Sequence, residues 1–207
     1  DAADIASTGA DANPAQDWRR RNGRLQVGYV GHLYPGRGVE VLMQLARRLS
    51  EADVHIVGGT EQDIASWRSQ AKGITNMHWH GYVPPARVDA FRQAMDVLVS
   101  PYQQSVVVAG GALETSRWMS PLKIFEYMAA RKPIVASDLP VLREVLSHGV
   151  NALLVPPGDV DAWVSAIETL QRDAALRDRL ANQAFADVSA RFTWMQRAQD
   201  VLAGVLS

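Results

Sequence analysis

Apolar residues along this chain come in two alternating rhythms. Short dense runs at 24–31, 54–57, 76–80, 97–99, 133–136 and 152–155 are closed by glycine, proline or a polar break, as expected of strands buried on both faces. Between them apolar residues recur at helical spacing, most clearly at Val39, Leu42, Met43, Leu45, Ala46 and Leu49. The same reading predicts helices over 62–71 and 85–94, from Ser120 onward, over 140–146, from about Asp159, and over 173–190 and 194–206. Strand and helix alternate six times. That order predicts an α/β fold: a doubly wound, Rossmann-like parallel sheet of about six strands with helices on both faces and further helices at the C-terminal end. Residues 1–22 carry Ala, Asp, Asn and Gly without a sustained apolar period and read as a linker or mobile arm ahead of a domain over 23–207.

Composition narrows the functional classes. With 47% hydrophobic and 21% charged residues in 207, the chain can bury one good core. A net charge of −1, and tryptophans not interleaved with basic residues, speak against a nucleic-acid partner. Zero cysteines exclude disulfides and thiolate metal sites and fit a reducing compartment. No apolar run reaches membrane-spanning length, and no signal peptide is visible. Because the first residue is Asp, not Met, a fragment of a longer protein is the expectation.

Doubly wound sheets take ligands beyond the carboxyl ends of their strands, which directs attention to loops 31–38, 58–60, 81–84, 101–121 and 137–140. The first, from Gly31 through His32 to Arg37 and Gly38, lets backbone amides approach an anion and adds a guanidinium fork suited to diphosphate. It is not the G-x-G-x-x-G dinucleotide fingerprint. The Ser120 helix offers a capping hydroxyl, Pro121 at its first position, and then Lys123 and Glu126. A helix N-terminus beside a lysine suits a phosphate. At roughly 100° per residue, Leu122, Ile124, Phe125, Met128 and Ala129 form an apolar arc, with Glu126 at its edge and Lys123 further round toward solvent. A carboxylate at such a rim needs a cation, N–H groups or ligand hydroxyls; the plainer alternative is an exposed Lys123–Glu126 pair one turn apart. His78 and His80 share a strand face, but no acidic residue or third histidine lies near in sequence, which favours structural histidines over metal ligands.

In this order the pieces resemble the C-terminal half of a GT-B glycosyltransferase of family 4, group 1, over about Leu25 to Leu206. The run from Val27 to Gly38 resembles the family's first strand and glycine-plus-basic loop. The segment ending in Gly58 and Gly59 resembles its second strand, the turn from His80 to Val83 its base-proximal turn, and Ser120 through Glu144 its donor-sugar motif. The resemblance implies that this half holds a UDP- or GDP-sugar donor and that an N-terminal domain completes the enzyme. It implies transfer of a hexosyl group to an acceptor with retention, no metal and no other cofactor. Glu126 would bind ribose; Arg37, Lys123 and the helix dipole would meet the diphosphate, so Glu126, Arg37 and Lys123 carry the chemistry. Gly31, His32, Gly58, Tyr82, Val83, Ser120, Pro121 and Leu122 would complete the donor site, with Tyr82 and Val83 at the base.

The family motif carries a second glutamate ahead of this one, and its position falls on Trp118; either Glu114 stands in, or sugar recognition differs. A cytoplasmic protein is implied, with room for a peripheral seat at the membrane's inner face. Two other readings remain at this point: a sugar-nucleotide epimerase of the same architecture, and a nucleotide-binding module without chemistry.

Overall fold

The computed structural model describes residues 23–104 and 122–193. Six strands alternate with helices: β1 (Leu25–Val30), α1 (Val39–Arg48), β2 (Ala52–Val57), α2 (Glu61–Gln70), β3 (Met77–Gly81), α3 (Pro85–Ala94), β4 (Val97–Ser100), α4 (Leu122–Ala129), β5 (Ile134–Ser137), α5 (Pro140–Arg143), β6 (Leu153–Val155), α6 (Val160–Arg172) and α7 (Ala174–Arg191). All six predicted strands form. The helix expected over 140–146 is shorter, closing after one turn as Val145 and Leu146 donate to the Leu142 carbonyl. The arm over 1–22 and the helix over 194–206 lie outside the described residues.

Every neighbouring pair is parallel, in the order β3-β2-β1-β4-β5-β6. Central strands of such a sheet have no solvent face, which is why β2 is buried at all six positions. One face buries Val27, Tyr29, Val54 and Ile56 with α1 and α6, whose Trp163, Ile167 and Leu170 are fully covered, as their core spacing predicts. The other buries Leu98, Met95, Ile124, Phe125 and Met128 beneath α3, α4 and α7. Side chains start several helices: Thr60 and Asp63 cap α2 reciprocally, while Asp159 and Asp173 accept from N–H groups of Ala162 and Leu176 at 3.0 and 2.8 Å. The strand order reverses between β1 and β4, so the carboxyl ends of those two strands open a crevice.

Candidate functional site

Hydrogen bonds from the strand ends shape that crevice. The Tyr127 hydroxyl of α4 accepts the Val30 N–H at 2.8 Å and lies 3.4 Å from the Val99 carbonyl, locking the helix across β1 and β4. Tyr29 donates to the His32 carbonyl at 2.6 Å and curls the first loop over the strand end. Gly38, at φ +84°, closes it: a Cβ there would stand 1.9 Å from the Pro101 carbonyl oxygen, so loop and β4 extension meet backbone to backbone. Gln103 N–H donates to the Gly36 carbonyl at 2.9 Å.

What these bonds assemble is a cationic pocket with aromatic walls. The Lys123 Nζ lies 3.9 Å from the centre of the Tyr29 ring and 4.6 Å from that of Tyr102; the Arg37 guanidinium stands 5.1 Å from the Tyr102 ring. Both tyrosines are buried. The lysine stem is half-buried, but its Nζ is fully covered and has no hydrogen-bond partner among the described residues. Burial, and then the Arg37 charge, hold this amine well below the ordinary lysine range, with Glu126 acting in the opposite sense. Burial raises the hydroxyls of Tyr29 and Tyr102. Ring faces attract cations but accept no conventional hydrogen bonds. An anion with several acceptor oxygens would satisfy the lysine and lie within reach of the guanidinium.

Lys123 therefore points inward, not toward solvent as the helical arc suggests, because its flexible stem folds back over the aromatic faces. Its tip also approaches Gly31: a Cβ at that residue would stand 2.8 Å from the Nζ. Leu122, placed by the same arc among the apolar residues, is 46% exposed, whereas Ile124, Phe125 and Met128 are buried. Glu126 pairs not with Lys123 but with Arg92 of α3, Nη2 to Oε2 at 2.5 Å. Its charge is near enough to act on both Lys123 and Tyr102.

Gly31 and Gly58 touch, for a Cβ on Gly58 would lie 2.2 Å from the Gly31 carbonyl oxygen; the Gly58 N–H reaches the Gly81 carbonyl at 2.7 Å. The turns after β1, β2 and β3 thus form one lip. Along it, His32 is exposed and stacks on Tyr34, Tyr82 is 75% exposed and Val83 half-buried. Ser120 and Pro121, together with Glu114 and Trp118, lie outside the described residues. Sequence reasoning missed Tyr29, Tyr102, Tyr127 and Arg92. Tyr102 directly follows the Pro101 that ends β4 and could have been found there. Arg92 has no local signal linking it to a residue 34 positions away.

A second cluster occupies the β2–β3 edge. His78 and His80 do have a third histidine, supplied by strand pairing: His55 of β2 lies opposite His78 and stacks on both, at 4.8 and 5.2 Å between ring centres. Burial, followed by the neighbouring imidazoles, lowers His55 to about 3; burial and then His78 lower His80 to about 4.

Comparison with known proteins bears on the crevice. The family described as glycosyl transferases group 1 matches residues 24–173. The chain is 30% identical over 171 residues to a phosphatidyl-myo-inositol mannosyltransferase of Mycobacterium leprae, covering 81% of this chain and 42% of that protein. To an alpha-D-kanosaminyltransferase of Streptomyces kanamyceticus it is 27% identical over 188 residues, covering 86% and 44%. The chain thus spans less than half the length of these curated relatives. Among solved structures, Anabaena HepE in complex with UDP and glucose superposes with a TM-score of 0.75 at 21% identity, over 96% of this chain and 53% of that one. The C-terminal domain of a glycosyl transferase group 1 family protein (LpcC) from Francisella tularensis gives 0.66 at 16% identity, over 90% and 95%. At such identities these neighbours speak for the fold.

Proposed function

From the premise that this chain belongs to the group 1 glycosyl transferases, we propose that residues 23–207 are the donor-binding half of a GT-B enzyme, completed by an N-terminal domain. Its donor is a UDP- or GDP-activated hexose, seated with its diphosphate against Lys123 and Arg37. One observation carries the reading: a lysine Nζ fully covered between two tyrosine rings, beside a guanidinium, at the topological switch point. A buried cation in that setting is costly unless an anion arrives. The UDP of the Anabaena structure and the mannosyl and kanosaminyl transfers named for the relatives support a nucleotide-sugar donor.

In the proposed reaction the bond between the sugar's anomeric carbon and the diphosphate oxygen breaks, and a bond to an acceptor oxygen forms with retention. The acceptor's proton is released, and the nucleoside diphosphate leaves with an added negative charge. Lys123 and Arg37 stabilise that charge where it develops, so the reading calls for no metal and no resident cofactor. Glu126 exchanges its Arg92 contact for the ribose hydroxyls. Gly31, Gly58 and the Ser120–Leu122 turn supply backbone around phosphate and sugar, His32 flanks the diphosphate, and Tyr82 with Val83 borders the base. The family match lends no support to the epimerase or non-catalytic alternatives. No helix among the described residues is long and apolar enough to cross a membrane. The reading is of a cytoplasmic protein, and the phosphatidylinositol in the M. leprae relative's name supports a peripheral seat at the membrane.

Calorimetric titration of UDP and of GDP into the chain tests the reading. One nucleotide binds, and Glu126→Ala weakens nucleotide binding more than pyrophosphate binding. Absence of heat with either nucleotide at millimolar concentration overturns the donor site; equal losses for nucleotide and pyrophosphate remove the ribose role alone.

A further inference from the structure

The β2–β3 edge gathers three of the chain's five histidines with a carboxylate. Asp53 and His55 sit two residues apart on β2 and therefore share a face; His78 pairs with His55 across the ladder, and His80 follows two positions later. One nitrogen from each of His55 and His78 and one oxygen of Asp53 lie within 4.8 Å of one another. We propose that Asp53, His55 and His78 form a binding site for a divalent transition metal of the zinc class, separate from the donor crevice.

Hydrogen bonding fixes how His55 would serve. Gln26 Nε2 donates to the Arg24 carbonyl at 2.7 Å, which turns its Oε1 toward His55 Nε2, 2.7 Å away. An amide oxygen only accepts, so Nε2 carries the proton and the Nδ1 lone pair is directed away from Gln26. That is the orientation of a metal-binding histidine, whose other nitrogen donates to a carbonyl. His55 is buried and held, whereas His78 on the edge strand has a side chain 42% exposed. Two ligands of a tetrahedral zinc ion stand roughly 3.3 Å apart. The cluster must contract, and rotation of the exposed His78 ring supplies the movement.

His80 Nε2 already lies 3.0 Å from His55 Nδ1 and is placed to become a fourth ligand after a change of tautomer. Otherwise that position stays open to water. The half-exposed His78 side chain leaves the cluster open to solvent. Two imidazoles and one carboxylate suit zinc, nickel or copper ahead of calcium or magnesium. The competing cation is Arg24, whose Nε stands 3.2 Å from Asp53 Oδ1 and 3.5 Å is the distance from His78 Nε2 to the same oxygen. Arg24 Nη2 also donates to the carbonyls of Ser50 and Ala52 and keeps those anchors if it yields the carboxylate.

Zinc and cobalt, titrated into chelator-treated protein by calorimetry and by the visible absorption of tetrahedral cobalt, decide the matter. One ion binds per chain. His78→Ala, at an exposed edge that tolerates truncation, weakens binding roughly ten- to a hundredfold, Arg24→Ala tightens it, and His148→Ala on the opposite side of the sheet leaves it unchanged. Absence of one-to-one binding, or binding that survives His78→Ala at full strength, overturns the site. UDP affinity measured on the same variants stays at the wild-type value, so the two assignments stand or fall independently.

Discussion

Two polar clusters lie on one sheet and resolve their charge in opposite ways. At the β1–β4 crevice, Lys123 and Arg37 crowd against the faces of Tyr29 and Tyr102, and the lysine Nζ has no hydrogen-bond partner among the described residues. At the β2–β3 edge, a chain of hydrogen bonds runs from Arg24 through Gln26 and His55 to His80, and the imidazoles stay neutral. The first arrangement is costly without a ligand; the second is satisfied as it stands. Folding free energy maintains the second cluster, while binding of the proposed donor would account for the first. Substitutions in the two places should therefore move stability in opposite directions.

The largest expected effect is at the edge. His55→Leu keeps the volume but removes the donor to Gln26 Oε1 and the contact with His80 Nε2, and should cost about 3 kcal/mol in urea unfolding. A smaller cost would mean that water enters the cluster.

Acid should act on the same cluster. Both His55 and His80 have folded values below the ordinary 6.5, at about 3 and about 4. As pH falls below about 6.5 the unfolded chain takes up protons that the folded chain refuses, so stability drops with falling pH; the His80 share is complete near pH 4 and the His55 share near pH 3. The slope should be about 1.4 kcal/mol per pH unit from His55 alone, with a smaller, discounted share from the partly solvated His80. Melting curves over this range should show the decline, and His55→Leu should flatten it.

The crevice should respond with the other sign. Lys123→Met removes a covered charge and keeps the stem, so the ligand-free chain should gain about 1 kcal/mol after the lost cation–π contacts are set against it. A destabilised variant would show that the lysine is already paired. The smallest effect belongs to Arg92→Ala: its half-solvated bridge to Glu126 is worth less than about 1 kcal/mol of stability. If Arg92 also holds Glu126 in position, UDP affinity should change by more than stability does.

Much of this architecture was legible in the residues alone. Dense apolar runs closed by glycine, proline or a polar break marked all six strands, since β1 and β2 are buried along nearly their whole length and cannot alternate. The glycine loop with Arg37 and the helix carrying Lys123 and Glu126 were found as separate pieces, because turn chemistry and helix starts leave local signals. What escaped depended on distance in sequence. The angular position of Lys123 on α4 says nothing about a stem that bends over Tyr29 and Tyr102. Arg92 reaches Glu126 only because α3 and α4 cover the same face of the sheet. His55 stands 23 residues from His78 and meets it through parallel register, which no local pattern encodes.

In the proposed donor site Lys123 waits for a diphosphate. Titrating UDP into wild-type chain and into Lys123→Met under identical conditions decides whether it does. The wild type should bind saturably, one to one, and the variant roughly ten- to a hundredfold more weakly, as expected for loss of a charge-assisted contact. Equal affinity in the two proteins would contradict it.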